Sequence, residues 1–156
     1  MESLILRYEK VARALQQFKN KNKVLVGGCF DLIHYGHLSF LMEAKKQGDL
    51  LIIALESDEH VLRSKKRNPI HSQSERAEIL SSMRFVDIVI LMPFFKSFDE
   101  YEKLVILVQP EVIAVTADDP QTRNKKIQAE KVGGVVVEVS SLLPRFATRK
   151  IIANFS

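Results

Sequence analysis

Lys23-Val24-Leu25-Val26-Gly27-Gly28-Cys29-Phe30-Asp31-Leu32-Ile33-His34-Tyr35-Gly36-His37 begins as a short β-rich run, breaks on two glycines and leads straight into a helical pattern. From His37 to Gln47, Leu38, Leu41, Met42 and Ala44 recur at helical spacing, and Gly48 stops the helix. Leu50 to Leu55 is a nearly unbroken apolar run, the pattern of a strand buried on both faces. A strand, a glycine turn, a helix and a buried strand make a βαβ unit, and that unit decides the fold class.

The alternation continues towards the C-terminus. Ser57-Asp58-Glu59 opens a short helix, and Arg63-Ser64-Lys65-Lys66-Arg67-Asn68-Pro69 reads as a basic loop. Helices are predicted over Ser74–Met83, Phe98–Val108, Thr122–Val132 and Ala147–Phe155, and strands over Val86–Leu91, Val112–Val115 and Gly134–Val139. Towards the N-terminus, Leu4, Tyr8, Val11, Ala12, Leu15 and Phe18 share one face of a predicted helix over Ser3–Lys19, leaning on the domain from outside or entering a dimer contact. The expectation is an N-terminal helix within residues 1–22 and one α/β domain over 23–156: a Rossmann-like, parallel five-stranded sheet with helices on both faces.

Length and composition agree with this reading. The chain has 156 residues, 46% of them hydrophobic and 27% charged, which suits a single domain with a core of its own. One cysteine excludes an intrachain disulfide framework and a cysteine-based zinc site, and it fits a reducing cytoplasm. No apolar run reaches the ~20 residues of a membrane span, and charges at Glu2, Arg7, Glu9 and Lys10 argue against a signal peptide. A net charge of +4 points to an anionic partner without naming it.

In an open α/β sheet, ligands bind beyond the carboxyl ends of the strands, where strand order reverses. The loop after the first βαβ strand is therefore the place for a site. Gly27 and Gly28 allow close backbone approach, His37 lies near a helix N-terminus that favours phosphate, and His34 and His37 are three residues apart, facing the same way on a helical turn. Neither a P-loop nor a G-x-G-x-x-G fingerprint occurs, which removes the usual P-loop and NAD readings.

Gly28 to His37 resembles the G-x-F-D-x-x-H-x-G-H signature of the cytidylyltransferase-like nucleotidyltransferase superfamily. The likeness runs over roughly residues 23–153, through Glu43–Asp49, Ser57-Asp58, Glu75-Arg76 and Arg84–Asp87, and is similar in texture to ADP-heptose synthases and glycerol-3-phosphate cytidylyltransferases. It implies that residues 23–156 form a cytoplasmic biosynthetic transferase. Such an enzyme moves a nucleoside monophosphate from CTP or ATP to a phosphorylated sugar or alcohol and releases pyrophosphate.

On that resemblance His34 and His37 donate hydrogen bonds near the α-phosphate, and Lys65 and Lys66 are alternative candidates for a catalytic lysine. Gly28, Cys29, Phe30, Asp31, Gly36, Arg76, Asp118, Asp119, Thr148 and Arg149 are candidate nucleotide-binding residues, with Asp31 shaping the loop or touching the ligand. Mg2+ is the implied cofactor, bridging the phosphates, with no metal ligand assigned to the protein. A homodimer is the implied assembly. Ala117 replaces a family glycine, Pro120 an aromatic residue, and Ala147-Thr148-Arg149 a Ser-Thr-Ser/Thr helix start.

Other readings stand beside this one. A zinc site needs further ligands, and His60 and His71 offer no fitting spacing. The run Arg63 to Arg67 is by default a solvated or non-specific nucleic-acid patch, although its place beside the site favours phosphate, and no nucleic-acid partner is expected. The departures at 117, 120 and 147–149 motivate a regulatory nucleotide-binding homologue with weak or no transferase activity.

Overall fold

Leu50-Leu51-Ile52-Ile53-Ala54-Leu55 is buried at all six positions, and a strand with two dry faces needs helices above and below it. The computed structural model, which describes residues 2–140 and 152–153, supplies them. Its strands are β1 (Leu4–Arg7), β2 (Lys23–Gly28), β3 (Leu50–Leu55), β4 (Ile88–Leu91), β5 (Val112–Thr116) and β6 (Val135–Ser140). Its helices are α1 (Val11–Ala14), α2 (Tyr35–Lys45), α3 (Asp58–Lys65), α4 (Gln73–Ser81), α5 (Phe98–Val108) and α6 (Thr122–Glu130). The strands form one parallel sheet in the order β1-β4-β3-β2-β5-β6.

The sheet separates two apolar layers. Leu25, Ile52, Ala54 and Ile113 pack on one face with Leu104 and Val105 of α5. Val24, Val26, Leu51 and Ile53 pack on the other with Leu41 of α2 and Leu80 of α4. Strand residues alternate between these layers because successive side chains point to opposite faces.

Three expectations need correction. The sheet has six strands, not five, because Leu4–Arg7 pairs in parallel with β4 from Leu4↔Ile88 to Arg7↔Leu91. The helix expected from Ser3 begins only at Tyr8, as a short turn, α1 and a second turn ending at Phe18. Leu4 and Leu6 alternate inward against outward Ile5 and Arg7, and four residues of period two were hidden by a longer helical spacing that reuses Leu4. Arg63 and Lys65 also belong to a helix rather than a loop. Ser57 caps α3 by accepting from the His60 N–H at 3.1 Å, and Arg63 bonds Glu59 one turn back at 2.7 Å.

Strand order places the opening. β2 pairs with β3 at six successive positions, yet with β5 only at Val24↔Val112 and Leu25↔Ile113. Beyond Leu25 the two strands part, and this is where connections leave the sheet in opposite directions.

Candidate active site

The loop after β2 is held in a strained shape. Phe30 and Leu32 both adopt left-handed backbone, with φ of 47° and 55°, which costs of order 1–3 kcal/mol each unless the surroundings enforce it. Asp31, between them, does the enforcing. Its buried carboxylate accepts from Arg67 Nη1 at 2.8 Å, the Ile70 N–H at 2.9 Å and the His71 N–H at 3.1 Å. Burial alone raises its pKa, but these donors outweigh burial and hold the carboxyl below its ordinary range. Gly28 is needed for packing, since a Cβ there would sit 2.8 Å from the Phe30 ring.

His34 and His37 cap α2 reciprocally. His34 Nδ1 accepts from the Gly36 N–H at 3.1 Å, and His37 Nδ1 accepts from the His34 N–H at 3.3 Å. The rings stack with centroids 3.8 Å apart. With Nδ1 accepting in both, each neutral imidazole carries its proton on Nε2. Burial lowers the His34 pKa. Burial, then the neighbouring His34 and Lys65, bring His37 down to about 4. Both therefore stay neutral at pH 7 while remaining N–H donors beside a helix N-terminus.

A cleft of about 650 Å³ opens where β2 and β5 part, on the sheet face opposite α2. Gly28, Cys29 and Lys65 line it, as do Asp119 and Lys125. A Cβ on Gly27 would meet nothing nearer than the Ala54 carbonyl at 4.0 Å, so the space beside this cleft-lining glycine is open. Lys65 lies between the two halves of the region, close enough for its charge to lower the pKa of both His37 and Cys29. Burial nevertheless leaves the Cys29 thiol with a raised pKa, opposed by Lys65.

The predicted residues divide by position. Lys65 lines the cleft and Lys66 does not; Lys66 ends α3 with φ of 56°. Asp119 lines it, held by Lys125 Nζ at 2.6 Å, whereas Asp118 is exposed outside it. Arg76 is fully buried beneath the site and does not line the cleft. Its guanidinium donates to the carbonyls of Cys29 at 2.6 Å, Glu56 at 2.9 Å and His71 at 3.1 Å, and to Asp58 at 2.7 Å. It thus ties the ends of β2 and β3 to α3 and the start of α4. Thr148 and Arg149 lie outside the described residues.

The cleft residues that escaped the sequence reading include Glu56, Tyr101 and Gln128. Glu56 was findable. It is the first acidic residue after the apolar run of β3, at the carboxyl end where ligands bind in such sheets. Tyr101 and Gln128 carry no comparable signal, because only the packing of α5 and α6 turns them inward.

Among the described residues no group of three His, Cys, Asp or Glu side chains could hold a metal ion. Mg2+ bound largely through substrate phosphates and waters needs no such cage. No helix among them is long and apolar enough to cross a membrane.

Comparison with known proteins agrees with this geometry. The FAD synthase of Pyrococcus horikoshii is 38% identical over 142 residues, covering 87% of this chain and 93% of that protein. The bifunctional protein HldE of Campylobacter fetus is 40% identical over 101 residues, covering 63% of this chain, which spans only 21% of that protein. A crystal structure of a lipopolysaccharide core biosynthesis protein from Thermoplasma volcanium superposes with a TM-score of 0.62 at 29% identity, covering 78% of this chain and 96% of that one. A Gly28–His37 loop strained around a buried aspartate, two neutral histidines at a helix start and a sheet parted beside them all fall within residues 25–150, the part that matches the cytidylyltransferase-like family profile, and the chain belongs to this family of nucleotidyltransferases.

Proposed function

We propose that the protein transfers the nucleoside monophosphate of ATP or CTP to a phosphorylated sugar or alcohol, releasing pyrophosphate. A phosphate oxygen of the acceptor attacks the α-phosphorus in line. The bond from that phosphorus to the bridging oxygen of the β-phosphate breaks, and pyrophosphate leaves with the electron pair. Because the attacking phosphate is already anionic near pH 7, no general base or covalent nucleophile is required. What remains for the protein is to position two anions and stabilise gathering negative charge.

The reciprocal cap is the observation that carries this reading. It provides two neutral Nε2–H donors whose orientation is set before substrate arrives. Lys65 supplies positive charge at the cleft wall, Asp31 and Arg76 hold the loop in shape, and Mg2+ supplies charge neutralisation when it arrives with the triphosphate. ATP is the favoured donor, since FAD synthase, the relative matched over nearly its full length, makes a product with an adenylate half. FMN, a ribityl phosphate, is accordingly the first acceptor to try.

The test is pyrophosphate release with ATP or CTP, Mg2+ and a panel of FMN, glycerol 3-phosphate and sugar phosphates. Turnover should fall on the order of 10²–10³-fold when either His34 or His37 is replaced by Ala. No turnover above the doubly substituted control with any pairing would sink the proposal. Tight nucleotide binding without turnover would instead favour the regulatory reading, to which Ala117 and Pro120 in the β5–α6 connection lend support.

A further inference from the structure

His60 lines the cleft, and its ring is held the opposite way from those of His34 and His37. It lies in the first turn of α3, where its N–H donates to Ser57 Oγ at 3.1 Å and its carbonyl accepts from Ser64 Oγ at 2.7 Å. Its Nδ1 stands 3.2 Å from Glu56 Oε2 in an ion pair. Glu56, 7% exposed at the end of β3, is itself fixed by the Tyr101 hydroxyl, which donates to Oε1 at 2.9 Å. Burial raises the Glu56 pKa, and His60 is the strongest of the groups opposing that rise.

A second cavity, of about 430 Å³, adjoins the cleft and shares His60, Ser64, Phe95 and Lys96 with it. Arg63 adds its guanidinium there, held over the Phe94 ring at 4.8 Å and bonded to Glu59. Among the described residues no carboxylate lines this second cavity. His60 therefore sits where two cavities meet, between a buried carboxylate and a cationic lining.

The tautomer decides what His60 can bind. His34 and His37 accept at Nδ1 and so keep a donor at Nε2 while neutral. A carboxylate at Nδ1 holds the proton there instead, so the neutral ring of His60 offers Nε2 as an acceptor. Its Nε2 can donate to an anion only when the ring is an imidazolium. Around the ring stand Glu56 after β3, Arg63 and Lys65 of α3 itself, Lys96 of the β4–α5 connection, Tyr101 of α5 and the Asp119–Lys125 pair beside α6. Cys29, after β2, is kept a neutral thiol by burial. An anion seated among these cations favours the charged ring, and by linkage the charged ring favours the anion.

We propose that His60 binds a phosphate dianion through Nε2 and takes up a proton from solvent as it does so. Glu56 is the positioning residue that holds Nδ1, and Tyr101 holds Glu56. The dianion comes from the leaving pyrophosphate or from the acceptor, and for these two sources the inference rests on the transfer proposed above.

The full chain is titrated calorimetrically at about pH 7.5, one unit above the ordinary histidine value, in two buffers of different ionisation enthalpy. One arm uses magnesium pyrophosphate. The other uses glycerol 3-phosphate after saturation with Mg2+ and a non-hydrolysable ATP analogue. The dependence of the heat on the buffer counts the protons taken up, and subtracting the count for His60→Gln removes the ligand's own protonation. Wild type should take up about half a proton or more beyond H60Q in at least one arm, and the arm that shows it names the source. H60Q should bind that anion on the order of 10-fold more weakly at about pH 6, as expected for one charge-assisted hydrogen bond. The gap should close as pH rises towards about 9, where a histidine loses its proton.

E56Q should lower the proton uptake, and Y101F should lower it less. Equal uptake by wild type and H60Q in both arms, an affinity gap that ignores pH, or binding of neither anion overturns the proposal. Wild-type uptake in E56Q overturns the role of Glu56. Should H60Q fail to fold, H60A reads the same difference. Pyrophosphate release scored with ATP and CTP keeps the readings apart: linked proton uptake without turnover removes the transfer and keeps His60, and turnover without linked uptake does the reverse.

Discussion

At the scale of single residues, protonation is the first thing the site controls. His37 Nδ1 accepts a backbone hydrogen bond and the ring is largely enclosed, so its proton belongs on Nε2 and its pKa lies near 4. Nitrogen-15 NMR should show that tautomer at pH 7, with titration far below the usual 6.5; titration near 6.5 would show that the cap does not hold. Because the folded pKa is depressed, the contribution of His37 to stability is complete above about 6.5 and is lost as pH falls towards 4. Glu56 acts with the opposite sign. Burial raises its pKa in the fold, so the wild-type protein loses stability as pH rises from about 4.5 through the folded value. E56Q, whose amide oxygen can still accept from Tyr101, should melt higher than wild type at pH 8, and the difference should shrink towards zero near pH 4. A difference independent of pH would show that the fold does not raise the pKa of this carboxyl. Asp31→Asn removes the anion shared by Arg67 and two backbone N–H groups and sets a donor against donors. A loss of about 2 kcal/mol or more is expected, a fall in Tm of about 4–8 °C by differential scanning fluorimetry.

At the scale of elements, βαβ periodicity was readable and edge structure was not. β3 is legible because six apolar residues in sequence admit few other readings, and α2 is legible because its periodic face ends at Gly48. β1 was lost because its four residues share Leu4 with the longer helical spacing that follows, and only pairing with β4 reveals period two. The short helical stretch after it is not an appendage. Val11 and Leu15 are buried in the same layer as Leu25, Ile52 and Leu104, so Leu15→Ala should behave as a core substitution costing about 2–5 kcal/mol. A destabilisation under about 0.5 kcal/mol, the range of surface changes, would mean that this segment merely leans on the domain. Denaturant titration decides between them. The site followed the same division. The signature loop was legible because its residue types adjoin in sequence, whereas Glu56, Tyr101 and Gln128 come from β3–α3, α5 and α6 and meet only through packing.

At the scale of the whole molecule, the parting of the sheet places the candidate cleft. β2 is bonded to β3 along its whole length but to β5 only at its start, so the crevice beyond Leu25 follows from strand order. The positive excess acquires a location in the same way: Lys65, Lys96 and Lys125 line that crevice. Gly27 separates the demands of folding from those of function. In the middle of a parallel sheet a glycine is locally unfavourable, since it gains no packing and loses the most backbone entropy. Its neighbours leave ordinary contact distance for a side chain, with the Ala54 carbonyl at 4.0 Å from an added Cβ, and β-branched residues suit strands. Gly27→Val should therefore fold with a Tm equal to or above that of wild type. The added isopropyl group would intrude on the cleft that Gly27 lines, and pyrophosphate release should fall on the order of 100-fold or more, with acceptor affinity lost alongside it, as displaced reacting groups predict. Wild-type turnover in a folded Gly27→Val protein would mean that substrates do not use this crevice. A protein that failed to fold would mean that the glycine serves the sheet.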